Sequence, residues 1–112
     1  KGKIMKHIIT AIARCAAGTA NAMSGNTLLA RMNGSPADQA NAYGYITGVG
    51  DALQSAGLLC FPSGVTISQS HDIVKRALES KPELRHIEAS DLTFGALLGF
   101  ACPKTKAKPS SL

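Results

Sequence analysis

Residues 37–56 carry the longest helical pattern in the chain, and the rest of the fold must pack around them. Tyr45, Val49 and Leu53 recur at i, i+4 and i+8, with Ile46 beside them, giving one apolar ridge. Ala40, Gly44, Gly48 and Ala52 recur every four residues as a second stripe of small side chains. A glycine inside a helix is less favourable than alanine by about 1 kcal/mol. Gly44 and Gly48 are therefore expected to meet another helix backbone, within the chain or across a dimer. Membrane helix dimers use the same spacing, but Asp38, Gln39, Asn41 and Asp51 surround this stripe. Close packing in a helical bundle is the reading that survives.

The punctuation on either side predicts more helices and no strand pair. Ser24-Gly25-Asn26 is a break, followed by a short helical turn at 27–32. Asn33-Gly34-Ser35-Pro36 is a loop, with Pro36 suited to the first helical position after a Ser cap. Gly57 is a C-terminal cap. Thr66-x-x-Gln69 has the form of a capping box and opens a helix at about 67–80, with Ile67, Val74, Ala77 and Leu78 inward. Asp72 near its start, and Lys75, Arg76 and Lys81 towards its end, suit the helix dipole. Ser90-Asp91 caps a last helix at 92–101 that is apolar nearly all round through Leu92, Phe94, Ala96, Leu97, Leu98 and Phe100. Such a helix is central or lies at a subunit contact. The 112 residues thus specify one all-α domain, a compact bundle of about four to five short helices. Its expected extent is 24–103, with a signal-like segment or first helix at 1–23 and a flexible basic tail at 104–112.

Charge is distributed in a way that limits the partners. The net charge is +5, but Lys1, Lys3, Lys6 and Arg14 lie at one end, and Lys104, Lys106 and Lys108 at the other. The body between holds five basic and seven acidic residues. A nucleic-acid-binding domain clusters its cations on one folded face, so none is expected as a partner. Aromatic residues make up 4% of the chain, which also excludes a stacking platform for single strands. Residues 5–22 pair a basic start and an apolar stretch with the ending Ala20-Asn21-Ala22, as in a secretory signal. The same residues also suit a plain helix, with Ile8, Ile12, Cys15, Thr19 and Ala22 on one face. The stretch is too short and too broken to span a membrane.

The three cysteines, Cys15, Cys60 and Cys102, form no C-x-x-C and no zinc-like spacing with a His. In an exported chain two would pair. Cys60 and Cys102 both sit at element ends, where a bridge bends no helix, and Cys15 is then the odd one. In a cytosolic chain all three would be free thiols. No nucleophile elbow, zinc-protease helix or phosphate-binding glycine loop occurs. His71 and Asp72 are helical neighbours and point in different directions, so they cannot orient each other as in a catalytic triad. No catalytic residue and no cofactor or metal site is expected.

The body carries a characteristic succession. Gly44-Tyr45-Ile46-x-Gly48-Val49-x-Asp51-Ala52 is followed by Cys60-x-Pro62-x-Gly64-Val65-Thr66-x-x-Gln69. Then come Asp72-Ile73-Val74, Lys81-Pro82-Glu83-x-Arg85-His86, Ala89, and a terminal Phe100-Ala101-Cys102-Pro103. In order and spacing this resembles the Rap/Tai family of type VI secretion immunity proteins, over about residues 24–102. The resemblance implies a small, mostly helical periplasmic protein, often a homodimer. It implies binding to a peptidoglycan amidase effector and blocking of that enzyme's Cys-His active site. It also implies that Cys60 and Cys102 form a structural disulfide. Family members often have another Cys pair, at places where this chain holds Met32 and Ala42.

A polar connection at 81–90 is the expected inhibitory segment. It joins two capped helices, Pro82 stiffens it, and it offers Lys81, Glu83, Arg85, His86 and Glu88 to the effector. A carboxylate there could pair with the effector's catalytic His, and Arg85 could make a bidentate contact at the rim. The turn at 63–69 and the exposed side of the helix bearing Tyr43 are the other candidate surfaces. A different class of function, a periplasmic stress or chaperone-like binding protein, would need an exposed apolar surface released by pH or heat. Three His and seven acidic residues are few for a steep acid switch.

Overall fold

Ser24 accepts a hydrogen bond from the Thr27 amide on its side-chain oxygen and starts helix α1, Gly25–Met32. The computed structural model describes residues 22–104. Ser35 starts α2, Pro36–Ser55, through a full capping box. Its hydroxyl accepts from the Asp38 amide at 3.1 Å, and the Asp38 carboxylate accepts from the Ser35 amide at 3.3 Å. Gly57, at φ +79, then turns the chain, donating to Gln54 O while Leu58 donates to Leu53 O. Two amides back-bonded to consecutive carbonyls through a left-handed glycine make a Schellman stop. Thr66 opens α3, Ile67–Ser80, by accepting from the Gln69 amide at 3.0 Å. A 3-10 turn at Pro82–Leu84 leads to α4, Ala89–Ala96, and a second at Leu98–Phe100 follows it.

The four helices each contact the other three, which makes the expected all-α bundle. One apolar cluster fills its centre: Leu28 and Met32 from α1, Ala42 and Ile46 from α2, Val74 and Leu78 from α3, Ala89 from α4, and Leu59 and Leu97 from the connections. Met32 and Ala42 are thus both core residues. Two isolated antiparallel bridges, Ser24 with Glu88 and Leu59 with Ala101, tie connections together.

At the second of these, Cys60 and Cys102 are joined, with an S–S distance of 2.03 Å and Cα atoms 4.9 Å apart. The Cys60 amide donates to Phe100 O and the Cys102 amide to Leu58 O, so the backbone already holds the two segments in bonding register. The Phe61 and Phe100 rings pack at 5.1 Å beside the bridge.

Several expectations are corrected. Gly44 and Gly48 are exposed, and a Cβ built on either meets nothing within 4 Å. No helix of the described chain packs on them. The face of α2 that turns inward is Ala42, Ile46 and Gly50. Three short helices cannot enclose a twenty-residue one, and the larger apolar side chains decide which side is covered. Within the described chain the close approach argued for those two glycines is made at Gly25 instead, and contact across a dimer remains the open branch of that expectation. Ile67 is 48% exposed, because α3 runs two turns past the core at that end. The last helix starts earlier than predicted and ends at Ala96. Its buried face is Ala89, Thr93 and Leu97, and Leu98 is 51% exposed, so it is neither central nor apolar-covered all round. Asp72 falls in the second turn of α3, and that helix has no acidic residue in its first turn and no basic one in its last.

The segment 5–22, the tail beyond Lys104 and Cys15 lie outside the described residues, save Ala22 itself. Among the described residues, no helix is long and apolar enough to cross a membrane.

Candidate functional site

The connection at 81–90 is built by local bonds before any tertiary contact. The Lys81 amide still donates to Ala77 O at the end of α3. Pro82 then begins a tight turn in which the amides of Leu84, Arg85 and Ile87 donate to Lys81 O, Pro82 O and Leu84 O. Its far side is pinned to α1. Gly25 donates to Ile87 O at 2.9 Å, Asn26 to Arg85 O at 2.8 Å, and Ala89 to Met23 O at 2.7 Å. The first amides of a helix have no partner inside it, so the connection supplies what α1 lacks while α1 fixes the connection. Gly25 makes this possible. It is buried, and a Cβ on it would stand 3.1 Å from Arg85 O and 3.2 Å from a Leu78 methyl, and would collide with Leu92.

On this frame Lys81, Glu83, His86 and Glu88 are exposed. Arg85 is not equivalent to them. It is half-buried, and its Nη1 donates to Leu78 O at 3.4 Å, one of the carbonyls left open at the end of α3. Its Nε is buried without a hydrogen-bond partner. The rim contact expected of Arg85 therefore competes with an internal role, and Glu83 and His86 are the side chains that face outward in the middle of the segment.

A second polar surface joins α2 and α3. The Tyr43 hydroxyl lies 3.0 Å from the Ser68 hydroxyl, and the Tyr43 ring packs 5.3 Å from the His71 imidazole. Burial lowers the His71 pKa below its usual range; Asp72 opposes the shift and Lys75 adds to it. Beyond it, Ile46, Asp51, Phe61, Val65 and Ser70 line a pocket of about 180 Å³. That is smaller than the ~300–1,000 Å³ of small-molecule sites. Among the described residues, no three His, Cys, Asp or Glu side chains gather to hold a metal ion.

Sequence reasoning picked out the exposed residues of 81–90 but missed Gly25 and its bonds to Arg85 and Ile87. The break signal Ser24-Gly25-Asn26 marked the place without revealing a partner sixty residues away.

The family model of the Rap1a immunity proteins matches residues 24–102, from the cap of α1 to the second half-cystine. The chain belongs to the Rap1a immunity protein family. Its general role follows: it is an immunity protein, which binds an effector protein. No curated protein and no solved structure matches it. The matched span is the whole bundle, including the Cys60–Cys102 bridge and the pinned connection.

Proposed function

We propose that this Rap1a-family protein protects its producer by binding a type VI peptidoglycan amidase effector and occluding its Cys-His active site with the connection at 81–90. The observation that carries this reading is the bracing of that segment by three backbone hydrogen bonds to Met23, Gly25 and Asn26. An inhibitor that enters a cleft loses affinity if the entering segment must be ordered on binding, and this one is ordered beforehand. In this reading Glu83, which is exposed, pairs with the effector's catalytic His, and His86 donates or accepts at the cleft wall. Lys81 and Glu88 flank them, and Arg85 holds the turn against α3. The protein works as a binder, with no chemistry of its own. The disulfide supports an oxidising compartment, the periplasm, where the amidase acts. The reading includes a homodimer, as the family resemblance implies, with the open Gly44–Gly48 side of α2 available to a second helix.

The test is Glu83→Ala with His86→Ala, leaving Arg85 in place. Both side chains are exposed, so the fold should be unchanged by circular dichroism. Protection of cells against a type VI peptidoglycan amidase that the wild-type chain neutralises should fall, with affinity for the purified enzyme reduced about tenfold or more. Full protection and wild-type affinity in the folded double variant would remove this segment from the interface. Light scattering of the purified protein tests the dimer.

A further inference from the structure

An apolar groove lies beside the connection, and the reading above leaves it unused. Leu78 and Leu92 form its inner walls, Leu84 its outer one, and Gly95 leaves the α4 backbone bare within it. Lys81 and Asp91 stand at its edge, both exposed and of opposite charge. Its volume is about 250 Å³. That falls below the ~300–1,000 Å³ of small-molecule sites, so its natural occupant is a side chain. Leu84 remains 37% exposed in it, and a Cβ on Gly95 meets nothing within 4 Å.

We propose that this groove receives one large apolar side chain of the bound effector, from a segment that carries an acidic and a basic residue to meet Lys81 and Asp91. The proposal rests on the effector-binding reading of residues 81–90 and adds the anchor that a polar segment alone lacks. Three observations support it. Lys81 and Leu84 belong to both the connection and the groove, so a protein seated on one covers the other. The walls are set beforehand, since Leu78 is a core residue, Leu92 packs on the core, and the turn bearing Leu84 is fixed by backbone bonds. The charged edge around an apolar centre matches the anatomy of an interface anchor, in which a desolvated apolar contact is ringed by polar groups. One groove of this size is far short of the ~800 Å² per partner that a stable interface buries. It is therefore one part of a larger contact surface, and the neighbouring connection supplies the rest.

Gly95→Leu fills the groove from its own floor. Gly95 has no positive φ, and leucine is the better helix former, so the fold is retained. The probe is a purified type VI peptidoglycan amidase against which the wild-type chain protects cells, titrated against the full chain. We expect an unchanged or higher melting temperature and an affinity loss of roughly 30-fold, the effect of removing an interface anchor. Lys81→Glu should slow association, more so at low salt. If Gly95→Leu disturbs folding, Leu84→Glu tests the same groove from its exposed wall. Wild-type affinity in folded Gly95→Leu, with loss in Glu83→Ala/His86→Ala, would overturn the groove while leaving the function standing. Wild-type affinity in all of these variants would overturn both. A dimer that becomes a monomer in Gly95→Leu, with amidase binding intact, would assign the groove to a second copy and overturn the proposal.

Discussion

Gly25 and Gly48 show how the same residue type carries opposite constraints. Gly25 is enclosed by Arg85 O, Leu78 and Leu92, whereas Gly48 faces open space. Gly25→Ala should lower stability by about 1–3 kcal/mol through overpacking. Gly48→Ala should raise it by up to about 1 kcal/mol, because alanine is the better helix former. Urea denaturation of the two variants under dilute, monomeric conditions checks both signs. Gly48→Leu overpacks nothing within the single chain, so such a variant tests self-association. At His71 the predicted variable is pH. Burial beneath Tyr43 lowers its pKa from 6.5, with Lys75 adding to the shift and Asp72 opposing it. The unfolded chain thus takes up this proton at a higher pH than the folded chain. The contribution of neutral His71 is fully present above the unfolded value and declines as pH falls from there towards the folded one. His71→Phe should flatten that part of the profile of urea midpoint against pH. An unchanged slope would show that His71 does not control it.

The helices owe their limits to signals of different reach. Ser35-Pro36 with Asp38, Thr66, and Gly57 act within four residues and stand where the sequence puts them, although Thr66 accepts from the Gln69 amide without the returning side-chain bond of a full capping box. Ser35→Ala removes one arm of a capping box and should cost about 0.5–2 kcal/mol. Thermal melts of Ser35→Ala and of Ser35→Asp check this, since Asp restores the acceptor and should recover most of the loss. The start of α4 was misread because its determinant is remote. Ser90 and Asp91 look like caps, yet the helix begins at Ala89, whose amide is held by Met23 O. Its early end has a local cause: Gly95 and Gly99 weaken the helix, and it tightens into a 3-10 turn at Leu98–Phe100. The exposed charges at 81–88 were legible as a solvated turn. The bracing that makes the turn rigid was not, since it consists of backbone atoms of α1 and of Met23 just before it.

At the scale of the molecule, the Cys60–Cys102 bridge closes the longest covalent constraint in the described chain, across a separation of 42 residues. It encloses α3, the connection and α4. On the chain-entropy model, Cys60→Ser with Cys102→Ser should destabilise the protein by about 4 kcal/mol. That is a large share of the ~5–15 kcal/mol that holds a domain together. Denaturant midpoints with and without a dithiol reductant measure it, and the double variant should not respond to the reductant. The sequence by itself determined what depends on near neighbours: helix caps and stops, the apolar periods that make an all-α bundle, and the placement of two cysteines at element ends. It also carried the family, because that resemblance lies in the order of short motifs. Only the tertiary structure decided which face of α2 is covered, which glycine is crowded, and where Arg85 turns. Those outcomes depend on how much of each helix its neighbours can reach, and packing of segments distant in the chain has no signature in local spacing.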